Sequence, residues 1–305
     1  MTLTVLNQSI TMFLLIIVGV ICAKINMLSE KTCKQLSKLL LQIVNPAMIF
    51  IAYNKKFETA LLENLLFTLL FSALAMIAAV ITAYIFIRKK DGRETEIERF
   101  SVIYSNCGFM GIPLINAMYG YDGVFYLTAY LTAFNLCVWS HGVIMMSGKK
   151  DLKSVLKVFY STTMIAIFLG LIRFVTQIEL PEVVTSAITH IANMNTPLAM
   201  IVSGGTIARS GFFKGLKKWR IYYCSAVKLI IIPLIVSLIV MFVPIDPVVK
   251  AVVIMASAAP SASMGTLFAL QYDKNADYAS EIFAVATILS IATLPLMTKI
   301  MTAVL

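Results

Sequence analysis

Ten apolar stretches separated by short loops fill almost the whole chain, and its basic residues collect in alternate loops. A helix needs about 20 residues to cross the roughly 30 Å hydrocarbon core of a bilayer. Such stretches fall near Thr4–Ala23, Leu36–Tyr53, Leu61–Ile87, Phe100–Tyr119 and Val124–Met146. A second set falls near Val158–Val175, Val184–Ala208, Ile221–Val243, Val248–Gln271 and Tyr278–Leu305. Of 25 Lys and Arg, 19 lie in the odd-numbered loops, which carry 4, 5, 4, 5 and 1, whereas the even loops carry 2, 0, 1 and 1. Cytoplasmic loops retain Lys and Arg and translocated loops avoid them. The pattern predicts an all-α polytopic protein of the cell (plasma or inner) membrane, multi-pass, with both termini extracytoplasmic.

Hydrophobic residues make up 60% of the chain, charged residues 13%, and the mean hydropathy is +0.89. A net charge of +10 would suggest nucleic acid in a soluble protein. Here membrane insertion accounts for its loop-by-loop asymmetry, and no nucleic-acid partner is expected. Ile10–Cys22 resembles a signal-peptide core in length, yet no Lys or Arg precedes it, and Lys24, Lys31, Lys34 and Lys38 follow. It reads as an uncleaved first span. The five cysteines form no CxxC pair, and Cys22, Cys107, Cys137 and Cys224 sit in apolar runs, which supports neither a disulfide framework nor a metal site. His141 and His190 are lone histidines suited to packing. The longest loops, such as Arg88–Arg99 and Arg209–Arg220, are too short for a soluble domain, so function must reside within the membrane.

Ten spans divide into a first five-helix repeat over 1–146, a cytoplasmic linker over 147–157 and a second five-helix repeat over 158–305. An odd number of spans per half inverts the second half, the plan of many secondary transporters. Aligning Gly19 with Gly170 also brings Pro46 onto Pro197 and Tyr121-Asp122 onto Tyr272-Asp273. The total identity in that register is no better than chance, and the argument rests on span count and loop lengths.

Two spans at corresponding places are poor continuous helices. The fourth contains Ser105-Asn106-Cys107-Gly108-Phe109-Met110-Gly111-Ile112-Pro113, and the ninth contains Ser257-Ala258-Ala259-Pro260-Ser261-Ala262-Ser263-Met264-Gly265. Glycine and proline weaken a helix, and proline also removes a donor. Freed backbone groups survive in a bilayer only inside protein or beside a watery cavity. Interrupted spans in matching positions of two halves point to a transporter site, and half-helix amino termini suit an anion. The plain alternative is a pair of packing kinks without a ligand. The candidate contacts are Asn106, Cys107, Gly108, Pro113, Pro260, Ser261 and Ser263.

Asn106 to Leu114, with its Met-Gly-Ile-Pro-Leu run ending near Met118-Tyr119-Gly120, resembles the auxin efflux carrier family of plant PIN-type carriers and bacterial permeases. Asn135-Leu136-Cys137-Val138-Trp139, Pro260 with Leu267-Phe268-Ala269, and Leu289 to Leu294-Pro295-Leu296 extend the resemblance along the chain. It implies a fold similar to bile-acid/sodium symporters, with broken helices four and nine crossing beside the substrate. A scaffold of helices 1, 2, 6 and 7 would hold a transport domain of helices 3–5 and 8–10 that moves as an elevator, often in a homodimer. The resemblance makes Asn106 a donor to a substrate carboxylate and places Asn135 where plant members often carry another amide. Plant carriers have a long hydrophilic loop after the fifth span, and the short Ser147–Lys157 connection points instead to a compact permease.

Five further polar residues lie near the expected path. Lys228, about two turns into the eighth span, either snorkels to the interface or supplies positive charge within the membrane. Glu281 reads first as interfacial and second as a proton carrier. Asn45, Asn193 and Asn195 flank Pro46 and Pro197 and either satisfy loosened backbone or line the path. The expected function is a secondary carrier of small organic anions by alternating access: carboxylates such as malonate-like dicarboxylates or auxin-like acids. A channel or membrane ligand sensor on the same fold is the alternative. No catalytic residues are expected: HExxH, aspartate pairs, Ser/His/Asp sets and nucleotide loops are all missing. No cofactor is implied, and coupling to sodium, protons or neither stays open.

Overall fold

The computed structural model describes residues 2–90, 92–148 and 157–304, so most of the linker expected at 147–157 lies outside the described residues. Among these, regular structure is helical apart from one isolated bridge. The helices are α1 (Thr2–Lys24), α2 (Glu30–Ala52), α3 (Thr59–Phe86), α4 (Thr95–Ile103) and α5 (Cys107–Ser147). There follow α6 (Thr162–Thr176), α7 (Glu182–Asn193), α8 (Asn195–Arg209), α9 (Trp219–Met241), α10 (Pro247–Ala258), α11 (Met264–Gln271) and α12 (Ala276–Val304). Six helical runs, within α1, α2, α3, α5, α9 and α12, are long and apolar enough to cross a membrane. The shorter α6 and α10 are also apolar.

Prolines shape the long helices. A π turn spans Leu40–Val44 before Pro46, Cys107–Gly111 before Pro113 and Val227–Ile231 before Pro233. A proline inside a helix has no N–H and presses on the carbonyl four residues back, and a widened turn ahead of it relieves the clash. The π turn at Val138–Gly142 precedes no proline, and its Gly142 packs against Tyr104, whose ring a Cβ there would meet at 3.2 Å. Gly120, at φ 59 and ψ −151, interrupts α5 and turns the chain sharply within an otherwise helical run.

Side chains cap the starts of four helices, Asn275 Oδ1 accepting the Tyr278 N–H at 3.0 Å ahead of α12. Ser29 Oγ accepts the Thr32 N–H at 3.0 Å, Ser161 Oγ accepts the Met164 N–H at 3.3 Å, and Asp246 accepts the Val248 N–H at 2.7 Å.

In hydrocarbon there is little hydrophobic drive between helices, and small residues let backbones approach closely. α1 and α8 form the most extensive helix pair in the molecule, meeting at Gly19 and Gly204. A Cβ on either glycine would run into the partner's backbone, at Ile201 or Ile16 respectively. The main core is built from α2 to α6 with α9 to α12. A second cluster joins Met12, Ile16, Leu40, Val44, Ala199 and Met200 to Phe109 and Met110, the residues that follow the break in the fourth expected span. Leu66, Leu70, Ile77 and Ile81 on α3, and Ile165, Leu169 and Ile172 on α6, turn outward. Such faces suit lipid.

Candidate functional site

α4 stops at Ile103, and the chain is non-helical through Tyr104, Ser105 and Asn106 before helix resumes at Cys107. α10 stops at Ala258, and helix resumes at Met264. The two interruptions meet. Asn106 donates its N–H to the Pro260 carbonyl at 2.7 Å, and Ala262 donates to the Tyr104 carbonyl at 2.9 Å. Ser105 and Ser261 face each other as an isolated antiparallel bridge. Each break thus satisfies the other's backbone, which is how irregular chain survives away from water.

The polar side chains at this junction are buried and incompletely paired. Asn106 is 4% exposed, and its Nδ2 has no hydrogen-bond partner among the described residues; the same holds for Ser261 Oγ. A buried amide or hydroxyl left without a partner costs about 1–3 kcal/mol. Asn106 immediately precedes the helix that resumes at Cys107, and Ser261 lies three residues before the one that resumes at Met264, so both groups lie near helix amino ends, where an acceptor is favoured.

The face opposite is also polar. Asn195 Nδ2 donates to Asn45 Oδ1 at 2.7 Å, and Asn45 Nδ2 donates to the Gly108 carbonyl at 3.3 Å. Both amides are buried, and Asn195 Oδ1 is itself unpartnered among the described residues. Asn45 therefore ties α2 to the first turn of α5. Asn193 faces outward and joins no part of this group.

Lys228 does not reach for an interface. It is 1% exposed, and its Nζ donates to Ser105 Oγ at 2.5 Å and to the Ser257 carbonyl at 3.2 Å. Ser105 Oγ in turn donates to the Ser257 carbonyl at 3.3 Å. The π turn Val227–Ile231 presents the lysine to the crossing.

The remaining candidates scatter. Cys107 and Pro260 are buried at the crossing, with Gly108 half-buried beside Asn45. Pro113 lies further along, at the start of the regular helix after the π turn, rather than at the break. Ser263, half-buried, immediately precedes α11. Asn135 Nδ2 donates to the Leu131 carbonyl of its own helix at 2.7 Å. Glu281 is buried in the second turn of α12, ion-paired with Lys218 at 2.5 Å and packed against Gly211 and Gly215.

Sequence reasoning missed Ser105 and Ser257 as lysine partners, although both stood in the interrupted stretches. It also missed Glu98. That carboxylate takes Arg220 Nε at 2.9 Å, Arg220 Nη2 at 2.8 Å and the Tyr278 hydroxyl at 3.1 Å. This fork clamps α4 to the starts of α9 and α12, and it lines an open cleft of about 410 Å³ with Arg93, Lys218 and Asn275. At the crossing itself, Asn106, Cys107, Pro260 and Ser261 are all covered, so the junction is closed.

A family model for membrane transport proteins matches residues 4–163 and 152–298. The chain belongs to the auxin efflux carrier family. A curated relative from Methanothermobacter thermautotrophicus, described as an uncharacterized transporter, is 22% identical over 292 residues, which cover 94% of this chain and 95% of its own. This auxin efflux carrier family member is a multi-pass membrane transport protein and not an enzyme.

Proposed function

We propose that the protein is a secondary carrier of small organic anions, holding a carboxylate at the junction of the two breaks and exposing it alternately to each side. The observation that carries this reading is the pair of unpartnered buried donors, Asn106 Nδ2 and Ser261 Oγ, beside an interrupted backbone. Their chemistry matches a carboxylate, which accepts several hydrogen bonds and is favoured at helix amino termini.

Ten crossings accommodate the helices. α5 has 41 residues, about twice the 20 or so that one crossing requires, and Gly120 divides it. α4 continues through its break into the first part of α5, α10 through its break into α11, and α7 into α8. The reciprocal bonds at Tyr104–Asn106 and Pro260–Ala262 have the local two-fold relation of an antiparallel bridge, which agrees with two inverted five-helix repeats. The basic loops then face the cytoplasm and both termini lie outside. Because the junction is closed, substrate entry needs the crossing elements to move against α1, α2, α6, α7 and α8, in the manner of an elevator.

Reconstitution into liposomes tests the proposal. Radiolabelled malonate and indole-3-acetate should show saturable flux and counterflow against the same unlabelled anion. Flux linear in concentration, with no counterflow, would establish a channel instead.

A further inference from the structure

We infer that the Lys228 ammonium is a built-in counter-cation of the anion site, so that the carrier binds its carboxylate without a sodium ion. The inference rests on the carrier function proposed above and specifies how its site is charged.

Three observations converge. First, Lys228 Nζ lies where two helices end: Ser257 is in the last turn of α10, and Ser105 follows the last turn of α4. The carboxyl end of a helix carries partial negative charge and carbonyls without helical partners. The Ser257 carbonyl takes the ammonium and the Ser105 hydroxyl in place of a backbone N–H. Oxygen ligands from a hydroxyl and a free carbonyl are the kind that would hold a hard metal cation, and here a tethered cation occupies them.

Second, the charge lacks a fixed counter-ion. The ion pairs among the described residues join Lys34, Lys55, Lys218, Arg220 and Lys274 to carboxylates, and none involves Lys228. A buried ammonium held by dipoles alone is costly, and a carboxylate brought nearby relieves that cost.

Third, the lysine touches the site through one residue. Ser105 holds Nζ with its side chain, pairs with Ser261 across the bridge and precedes Asn106 in the chain. The helix carboxyl ends and the amino ends therefore meet at one short segment. Ser105 thus links the ammonium to both unpartnered residues, to Ser261 across the bridge and to Asn106 along the chain.

Thermal-shift titrations of the purified full chain test this, with malonate, succinate and indole-3-acetate as probes in sodium and in N-methyl-D-glucamine buffers. The wild-type protein should give half-saturation concentrations within twofold of each other in the two buffers. Lys228→Ala should weaken binding at least tenfold in N-methyl-D-glucamine and recover part of it when methylammonium is added to replace the lost ammonium. Lys228→Met, which keeps the length of the stem, repeats the comparison if the alanine variant does not fold. A wild-type shift that requires sodium overturns the inference and leaves the carrier function standing, as does full affinity in both lysine variants. If no probe shifts the wild-type protein, the carboxylate site itself is refuted and the inference falls with it.

Discussion

Asn106 gives its backbone N–H to the Pro260 carbonyl across 2.7 Å while its side-chain Nδ2 has no acceptor among the described residues. The backbone bond holds the residue in place, and Nδ2 is the group the proposed site offers to a ligand. These two halves of one residue separate structure from function, because a side-chain substitution leaves the main-chain bond intact.

Asn106→Ala should therefore fold and lose transport. Removing one buried donor to a charged acceptor costs about 1.5–3 kcal/mol, a tenfold to hundredfold loss of affinity. Counterflow in liposomes should fall by that factor, with the melting temperature of the unliganded protein unchanged or raised. Full counterflow in the variant would remove Asn106 from the site.

Asn45→Ala should instead destabilise the closed junction. It removes the acceptor of the buried Asn195 Nδ2 and the donor to the half-buried Gly108 carbonyl. The expected cost is about 1–3 kcal/mol, read as a lower melting temperature without ligand. An unchanged melting curve would show that these amides have other partners.

Arg220→Ala strands the Glu98 carboxylate, whose side chain is 2% exposed, and should cost about 3–5 kcal/mol. Replacing both partners by apolar residues of similar volume, Glu98→Leu with Arg220→Met, should cost much less, because no buried charge is left alone. Urea or thermal unfolding of the three proteins in detergent measures the difference. Equal losses for the single and double variants would mean that the fork is loose and solvated.

Gly204→Leu should separate α1 from α8, because a side chain there meets the Ile16 backbone rather than a movable group. Loss of folded protein on gel filtration is expected. Gly92→Ala serves as a comparison: the Cβ meets nothing, and only its positive φ of 73 is strained, for a cost of about 1 kcal/mol. If both variants behave alike, close packing at Gly204 is not what joins the helices.

The membrane character, the apolar runs and the two interruptions were legible in the sequence because each is a local property of composition. The position of the first break was less so. Gly108, Gly111 and Pro113 suggested it, yet the backbone leaves the helix earlier, at Tyr104 to Asn106, because bonds to Pro260 and Ala262 compete with the helix there. The two glycines sit in a widened turn that prepares for the proline. Lys228 was ambiguous for the same reason: a lysine at that depth snorkels or turns inward according to what surrounds it, and Ser105 lies 123 residues away. Glu98 was hidden within a charged loop, and only Arg220, 122 residues on, makes it a buried fork. Asn135 looked available, but its amide is spent on the preceding turn of its own helix.

The π turn at Val227–Ile231 holds one residue more than an α turn would. Each residue advances the direction of a helical side chain by about 100°. The aim of Lys228 at Ser105 thus depends on helical phase as well as on residue identity. Deleting a single apolar neighbour such as Ile230 would let the helix rewind to a regular pitch, swing the residues on one side of the deletion out of step with those on the other, and disarm the junction without changing any residue that touches it.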